Sequence, residues 1–189
     1  RGMNRFVWNL QYPGPDVIPS AQFSLANTGG MNGPPGEYTI RVRAGGETRE
    51  VGVQVKLDPR IPTVTEADLE AQFQLTRQVR DRLTKVHEAI REVRSIRVQS
   101  QEILKMLRED DAPEELVDEL DEIWNPLKSE MERVENALIQ TRAESGQDPI
   151  NFPSRLDDQL AYLYSHVNSS YGRPTEGAYQ RYQDLVEIT

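Results

Sequence analysis

The feature that most constrains this chain is a seven-residue stripe, Leu69, Thr76, Leu83, Ile90, Arg97 and Leu104, joined by Val79, Val86, Val93 and Leu107 on the adjoining row and widened by Ile96 and Ile103. That period predicts one helix from Glu66 to Arg108, ~43 residues and about 65 Å long. Thr65, followed by Glu66, Ala67 and Asp68, is a fitting N-cap with acids in the first turn. Charged residues make up 28% of the 189 and the hydrophobic set 37%. With a mean hydropathy of -0.67, this is the high surface-to-core ratio of an elongated helical protein.

The second half reads as further helices. Asp110-Asp111-Ala112-Pro113 breaks the first stripe. Leu116, Leu120, Ile123, Leu127, Met131, Val134 and Leu138 form a second, expected over 114–145, with a kink at Pro126 and an end at Gly146. Leu156, Leu160, Leu163 and Val167 give a third helix over 154–170, and Tyr179, Tyr182, Leu185 and Val186 a fourth over 175–188, parted by Gly172-Arg173-Pro174-Thr175. At 1.5 Å per residue, helix two spans ~48 Å and helices three and four together about 46 Å. Matched lengths predict three up-down legs of one elongated bundle over 66–189, with the longer first helix overhanging at its start.

Residues 1–60 read differently. Phe6, Trp8 and Leu10 alternate with their neighbours at period two, as do Tyr38, Ile40 and Val42, and Ala44-Gly45-Gly46-Glu47 is a tight turn into Val51, Val53, Val55 and Leu57. Between the first and second strands, Pro13 to Gly36 is long for a compact domain and predicts an irregular flap. Three strands and a flap bury too little to stand alone. The sheet either lacks strands encoded upstream or borrows a surface from the helical half. Residues 61–65, with Pro62 and nearby Pro59, form a stiff linker. The expected fold class is α+β, a strand domain over 1–60 followed by the bundle.

Residues 1–65 carry a net +2 and the rest -11, for -9 overall. An acidic balance argues against a nucleic-acid backbone or an anionic membrane as partner. No run approaches the ~18 apolar residues of a membrane span. The absence of Cys removes disulfides and thiolate chemistry but leaves the compartment open. The chain opens Arg1-Gly2-Met3-Asn4 without a leader pattern, which reads as an internal or processed start of a longer protein.

Residues with chemical potential are few. His87 and His166 sit apart on expected helices, without a second His or carboxylate at metal spacing, and read as flank or surface positions. Glu109, Asp110, Asp111, Glu114, Glu115, Asp118, Glu119, Asp121 and Glu122 form a dense acidic run. It lacks the order of a calcium loop, and reads as a solvated helix start, with a cation site as the other reading. Phosphate loops, nucleophile elbows and zincin motifs are absent, so no catalytic, cofactor-binding or metal-ligating residue is assigned. Tyr162, Tyr164, Tyr171, Tyr179 and Tyr182 crowd the third and fourth helices, as core and rim packing or as a sugar or peptide platform. Asn168-Ser169-Ser170 matches a glycosylation acceptor. Arg97 inside a heptad row leaves open a free-standing helical adaptor that dimerises through that stripe.

Gly2-Met3-Asn4-Arg5-Phe6-Val7-Trp8-Asn9-Leu10-Gln11-Tyr12-Pro13-Gly14, Pro34-Pro35-Gly36-Glu37-Tyr38-Thr39-Ile40-Arg41-Val42 and Val55-Lys56-Leu57-Asp58-Pro59-Arg60 together resemble the C-terminal region of large exported bacterial proteins. The main body of those proteins is a sortilin-type Asp-box (BNR) repeat propeller, often labelled glycosyl hydrolase or sialidase-like. Pro153-Ser154-Arg155-Leu156 and Arg173-Pro174-Thr175 fit as well. The strand motifs also resemble the Ig-like domain of flagellar hook-capping proteins, and Asn9 departs from the Asp expected after Trp8. The resemblance implies that the strands finish an Ig-like or fibronectin-like sandwich begun upstream, that the protein is exported, and that any propeller activity lies upstream. The defining Asp-box is absent from this chain, so no catalytic position carries over. The expected function is a non-catalytic accessory tail partnering the upstream propeller. A substrate-contacting tail of a glycan-acting hydrolase and the helical adaptor are the alternatives.

Overall fold

The computed structural model describes residues 2–3, 5–19, 21–110, 112–145, 147–148 and 151–187. Among them are strands β1 (Gln11–Tyr12), β2 (Met31–Asn32), β3 (Gly36–Ala44) and β4 (Glu47–Val55), and helices α1 (Glu66–Glu109), α2 (Glu114–Leu138), α3 (Leu156–Ser169) and α4 (Glu176–Glu187). The molecule is mixed α and β, and no described helix is long and apolar enough to cross a membrane.

Helix α1 has 44 residues, about 66 Å. A capping box starts it: the Asp68 N–H donates to Thr65 Oγ1 at 3.2 Å and the Thr65 N–H to Asp68 Oδ2 at 3.0 Å. Arg173 donates to the other Asp68 oxygen at 3.1 Å, fastening the α3–α4 connection to the same turn. These bonds, the one from Thr65 foremost, hold the Asp68 carboxyl below the usual carboxylate range.

The two ends of α1 have different partners. Leu75, Val79, Leu83, Val86 and Ile90 pack in one core with Leu156, Leu160, Leu163, Tyr164 and Val167 of α3 and Ala178 and Leu185 of α4. Beyond Ile90 the flap still reaches α1, with Asp16 paired to Arg91 at 2.7 Å, and α2 runs antiparallel to α1, tied by Arg108 to Asp121 at one end and Arg97 to Glu135 at the other.

The three side-by-side legs are therefore corrected. Helices α2 and α3 follow one another along α1, and α4 turns back, with Tyr182 meeting Gln78 and Val186 meeting Arg82. The expected second helix over 114–145 stops at Leu138. Ile139 leaves it with extended backbone and buries its side chain in the core. Past that residue no apolar row continues, and the Glu144 and Ser145 N–H groups turn onto the Asp148 carboxylate. Gly146 lies outside the described residues. Pro126 stands inside an unbroken α2.

The strands also differ from expectation. Residues 6–10 form no strand: Leu10 takes φ 62°, a left-handed backbone that ends an extended run, and Trp8 instead packs edge-on against Tyr38 at 5.1 Å. In place of one three-stranded sheet, β1–β2 and β3–β4 form two separate antiparallel pairs. The β3–β4 hairpin runs in register from Gly36 opposite Val55 to Ala44 opposite Glu47. Gly45 and Gly46, at φ 58° and 84°, supply the left-handed pair that such a two-residue turn demands.

The flap is irregular, as its composition requires, yet it is strapped to the helices. Ile18 and Met31 belong to the helical core. Tyr164 donates to the Gly29 carbonyl at 2.6 Å, Asn168 to that of Gly30 at 2.9 Å, and the Ser24 N–H reaches Asp158 at 2.7 Å. One core thus joins residues from both sides of the linker.

Candidate functional site

Four places gather unusual chemistry. The first is His87. It lies i+4 from Leu83 and i−3 from Ile90, on the apolar stripe, and is wholly buried, not at a flank or surface. Its Nδ1 accepts the Ile18 N–H at 3.4 Å, and its ring meets Phe23 edge-on at 6.0 Å. Nε2 has no partner among the described residues. Burial first, then the Arg91 charge, pull the imidazole down to about 4. His87 is therefore a neutral packing and flap-anchoring group. Its spacing from Leu83 and Ile90 was the available signal.

The second is a cavity of about 420 Å³ between the flap, α3 and the start of α4, lined by Ser24, Asp158, Tyr162, His166, Thr175 and Arg181. Asp158 is occupied by the flap, and Arg181 hydrogen-bonds Gln159. The Ser169 hydroxyl donates to the His166 backbone carbonyl at 3.1 Å, a bond to the main chain and not to the imidazole. Beside the cavity, in the first turn of α3, Asp157 is buried. Its Oδ1 accepts the Asp158 N–H at 2.7 Å while Oδ2 is unpartnered among the described residues. Burial pushes this carboxyl up to about 7. Sequence reasoning singled out neither Asp157 nor Asp158, since two acids opening a helix look like ordinary dipole complements.

The third is the α1–α2 pair beyond Ile90. Arg97, conspicuous in the heptad row, donates to the buried Glu135 at 2.7 Å, and Arg94 donates to the same carboxylate at 2.6 Å. Its charge is answered within the chain by a carboxylate of α2. The acidic run lies at the tip of this pair, exposed, with Asp121 held by Arg108 and Asp111 outside the described residues. No group of three His, Asp or Glu side chains among the described residues could hold a metal ion.

The tyrosines divide between roles. Tyr164 is buried, Tyr179 and Tyr182 pack against the core, and Tyr162 is 56% exposed at the cavity. The Tyr171 hydroxyl accepts the Asp58 N–H at 2.9 Å, at the foot of the hairpin. The Asn168 amide is engaged at both ends by the flap.

The fourth is the β3–β4 hairpin. Tyr38, Ile40, Val42, Val51 and Val53 share one face, with Arg49 opposite Val42 at its tip, and Thr39, Arg41, Arg43, Glu50 and Gln54 the other. The apolar face is half-covered near the base and open at the tip, where Val42 is 56% and Val51 61% exposed. Compared with known proteins, the chain matches no family model, no curated protein and no solved structure.

Proposed function

We propose that this chain is a non-catalytic accessory and interaction region of a larger exported protein, with β3–β4 forming part of an Ig-like or fibronectin-like sandwich completed by strands of its parent. The observation that carries this reading is the hairpin. A nine-residue strand pair with one mainly apolar face, bordered by Arg49 at the tip, and one polar face has the pattern of half a sandwich, and its apolar side lies open at Val42 and Val51. Two strands alone are marginal in water, and open edges invite further strands. On the resemblance of residues 2–60, the parent is an exported Asp-box propeller protein, and any hydrolytic activity resides in that body.

Hydrogen exchange tests this. Amides of 36–55 are compared in the 189-residue chain and in the native polypeptide isolated from its source, whose intact mass is measured alongside. A longer native protein in which these amides are protected about a hundredfold more strongly supports the reading. Equal protection, or a native mass of 21.6 kDa, removes it.

Tyr162 supports a second reading, contact with a glycan at the 420 Å³ cavity. Its exposed ring stands beside Arg181 and His166, an aromatic platform with polar groups at its edge. Binding on a glycan array that is lost in Tyr162→Ala would establish it, and a silent array would dismiss it.

A further inference from the structure

We propose that the side of the α1–α2 arm is a docking groove for a basic amphipathic helix of a partner protein. On α1, Ile96, Ser100, Ile103 and Leu107 follow one another at helical spacing, and on α2 so do Leu116, Leu120, Ile123 and Leu127. The valley between the rows holds an apolar cavity of about 270 Å³ floored by Leu104 and Trp124. Its walls are open: Ile123 is 69% and Ile103 54% exposed. The row from Leu116 to Leu127 spans about 16 Å, three turns of a docked helix.

Charge selects the occupant. Residues 98–132 hold twelve acids against Lys105, Arg108 and Lys128, a net of -9 that equals the charge of the whole chain. The remainder of the protein is balanced. Glu119 stands within the α2 row, i+3 from Leu116 and i−4 from Ile123, and Asp110 one heptad beyond Ile103. No ion pair among the described residues engages Glu114, Glu115, Asp118, Glu119 or Glu122. A second copy of the arm would set one acidic field against another, and a nucleic acid or anionic membrane would be repelled. A helix with apolar residues at i, i+3, i+4 and i+7 and Lys or Arg on its flanks fills the valley and neutralises the rim. This inference does not depend on the hairpin reading, and the tests below leave the hairpin untouched.

The probe is a synthetic Leu/Lys amphipathic peptide of about 18 residues, with its Leu/Glu counterpart as control. Binding to the full chain is followed by calorimetry and by Trp124 emission in a Trp8→Phe background, Trp8 being the other tryptophan. The proposal expects saturable one-to-one binding that shifts Trp124 emission and weakens about tenfold from about 50 to 500 mM salt. Ile123→Glu, at an exposed position that leaves the melting temperature unchanged, weakens it at least about tenfold. No saturable binding, equal binding of the Leu/Glu peptide, or unchanged binding by Ile123→Glu, which would mean attraction to surface charge alone, overturns it. So does low-salt dimerisation in sedimentation that Ile123→Glu abolishes, since the groove would then belong to a second copy.

Discussion

Glu135 of α2 closes an ion pair with Arg97 of α1 across the helix seam, Nη1 to Oε2 at 2.7 Å, with the carboxylate side chain 4% exposed. Arg94 holds the other oxygen. Removing the acid leaves two guanidinium groups facing each other where water reaches them only in part. Glu135→Ala should therefore destabilise the chain by about 2 kcal/mol, below the cost at a fully buried pair because both arginines are partly solvated. In thermal melts followed by circular dichroism this is a fall of about 4–8 °C. Arg94→Met and Arg97→Met combined with Glu135→Leu should recover most of it, because an apolar cluster of similar volume carries no desolvation cost. A triple variant as unstable as Glu135→Ala would show that packing, not charge, is what Glu135 supplies.

His87 and Asp157 give opposing pH dependences. The folded imidazole titrates at about 4 against 6.5 when unfolded, so between those values the unfolded chain binds the extra proton and stability rises with pH. The folded Asp157 carboxyl titrates at about 7 against 3.8. In its window the folded chain binds the extra proton, and stability falls as pH rises. Each slope is at most about 1.4 kcal/mol per pH unit, and in the shared window the two largely cancel. Urea titrations from pH 4.5 to 6.5 should show a nearly flat profile for the native sequence. Asp157→Asn should show a rising one, and His87→Gln a falling one. Parallel profiles for all three would refute both assignments.

The flap depends on Tyr164, whose hydroxyl donates to the Gly29 carbonyl at 2.6 Å while the ring is fully buried. Tyr164→Phe keeps the ring and orphans the carbonyl. The expected cost is about 1 kcal/mol, felt first in the flap, so limited proteolysis at residues 24–30 should quicken while cleavage within α1 does not. Uniform acceleration along the chain would mean that the flap does not open separately.

Much of this was legible in the residues. The stripe from Leu69 to Leu104 gave α1 within a residue at its end, Thr65 gave the cap, Gly45-Gly46 the turn, and the row from Leu156 to Val167 the buried face of α3. Periodicity shows which face a helix buries, but it does not identify the partner. Matched lengths therefore suggested α2 beside α3 and α4, where in fact α2 and α3 succeed each other along α1. The burial of Ile18, Met31 and Ile139 was invisible for a related reason: each stands in an irregular or extended stretch with no period to reveal an inward face. His87, expected at a flank or at the surface, is buried; a histidine bordering an apolar stripe looks the same in sequence whether its ring is enclosed or lies at the rim. The open groove beside Trp124 was likewise hidden, since the row from Leu116 to Leu127 reads as core until the helix that would cover it proves to lie elsewhere.

Val51 separates a hairpin that stands free from one that is completed. It faces outward with Val42 and Ile40 on the apolar side of β3–β4 and is 61% exposed. Within these 189 residues, Val51→Lys replaces a solvated methyl pair with a solvated ammonium, and stability should change by less than about 0.5 kcal/mol. If strands of a longer parent cover this face, the same substitution there buries an unpaired charge. It should then cost about 3 kcal/mol or more, or drive the hairpin out of the sheet. Paired melts of Val51→Lys in the 189-residue chain and in the native-length protein, with Arg41→Lys on the polar face as control, read the difference. A loss confined to the longer protein and absent from the control locates the missing half of the sandwich on the Val51 side. Equal, small effects in both contexts mean that the face stays in water, and the hairpin is then a free element of the fold.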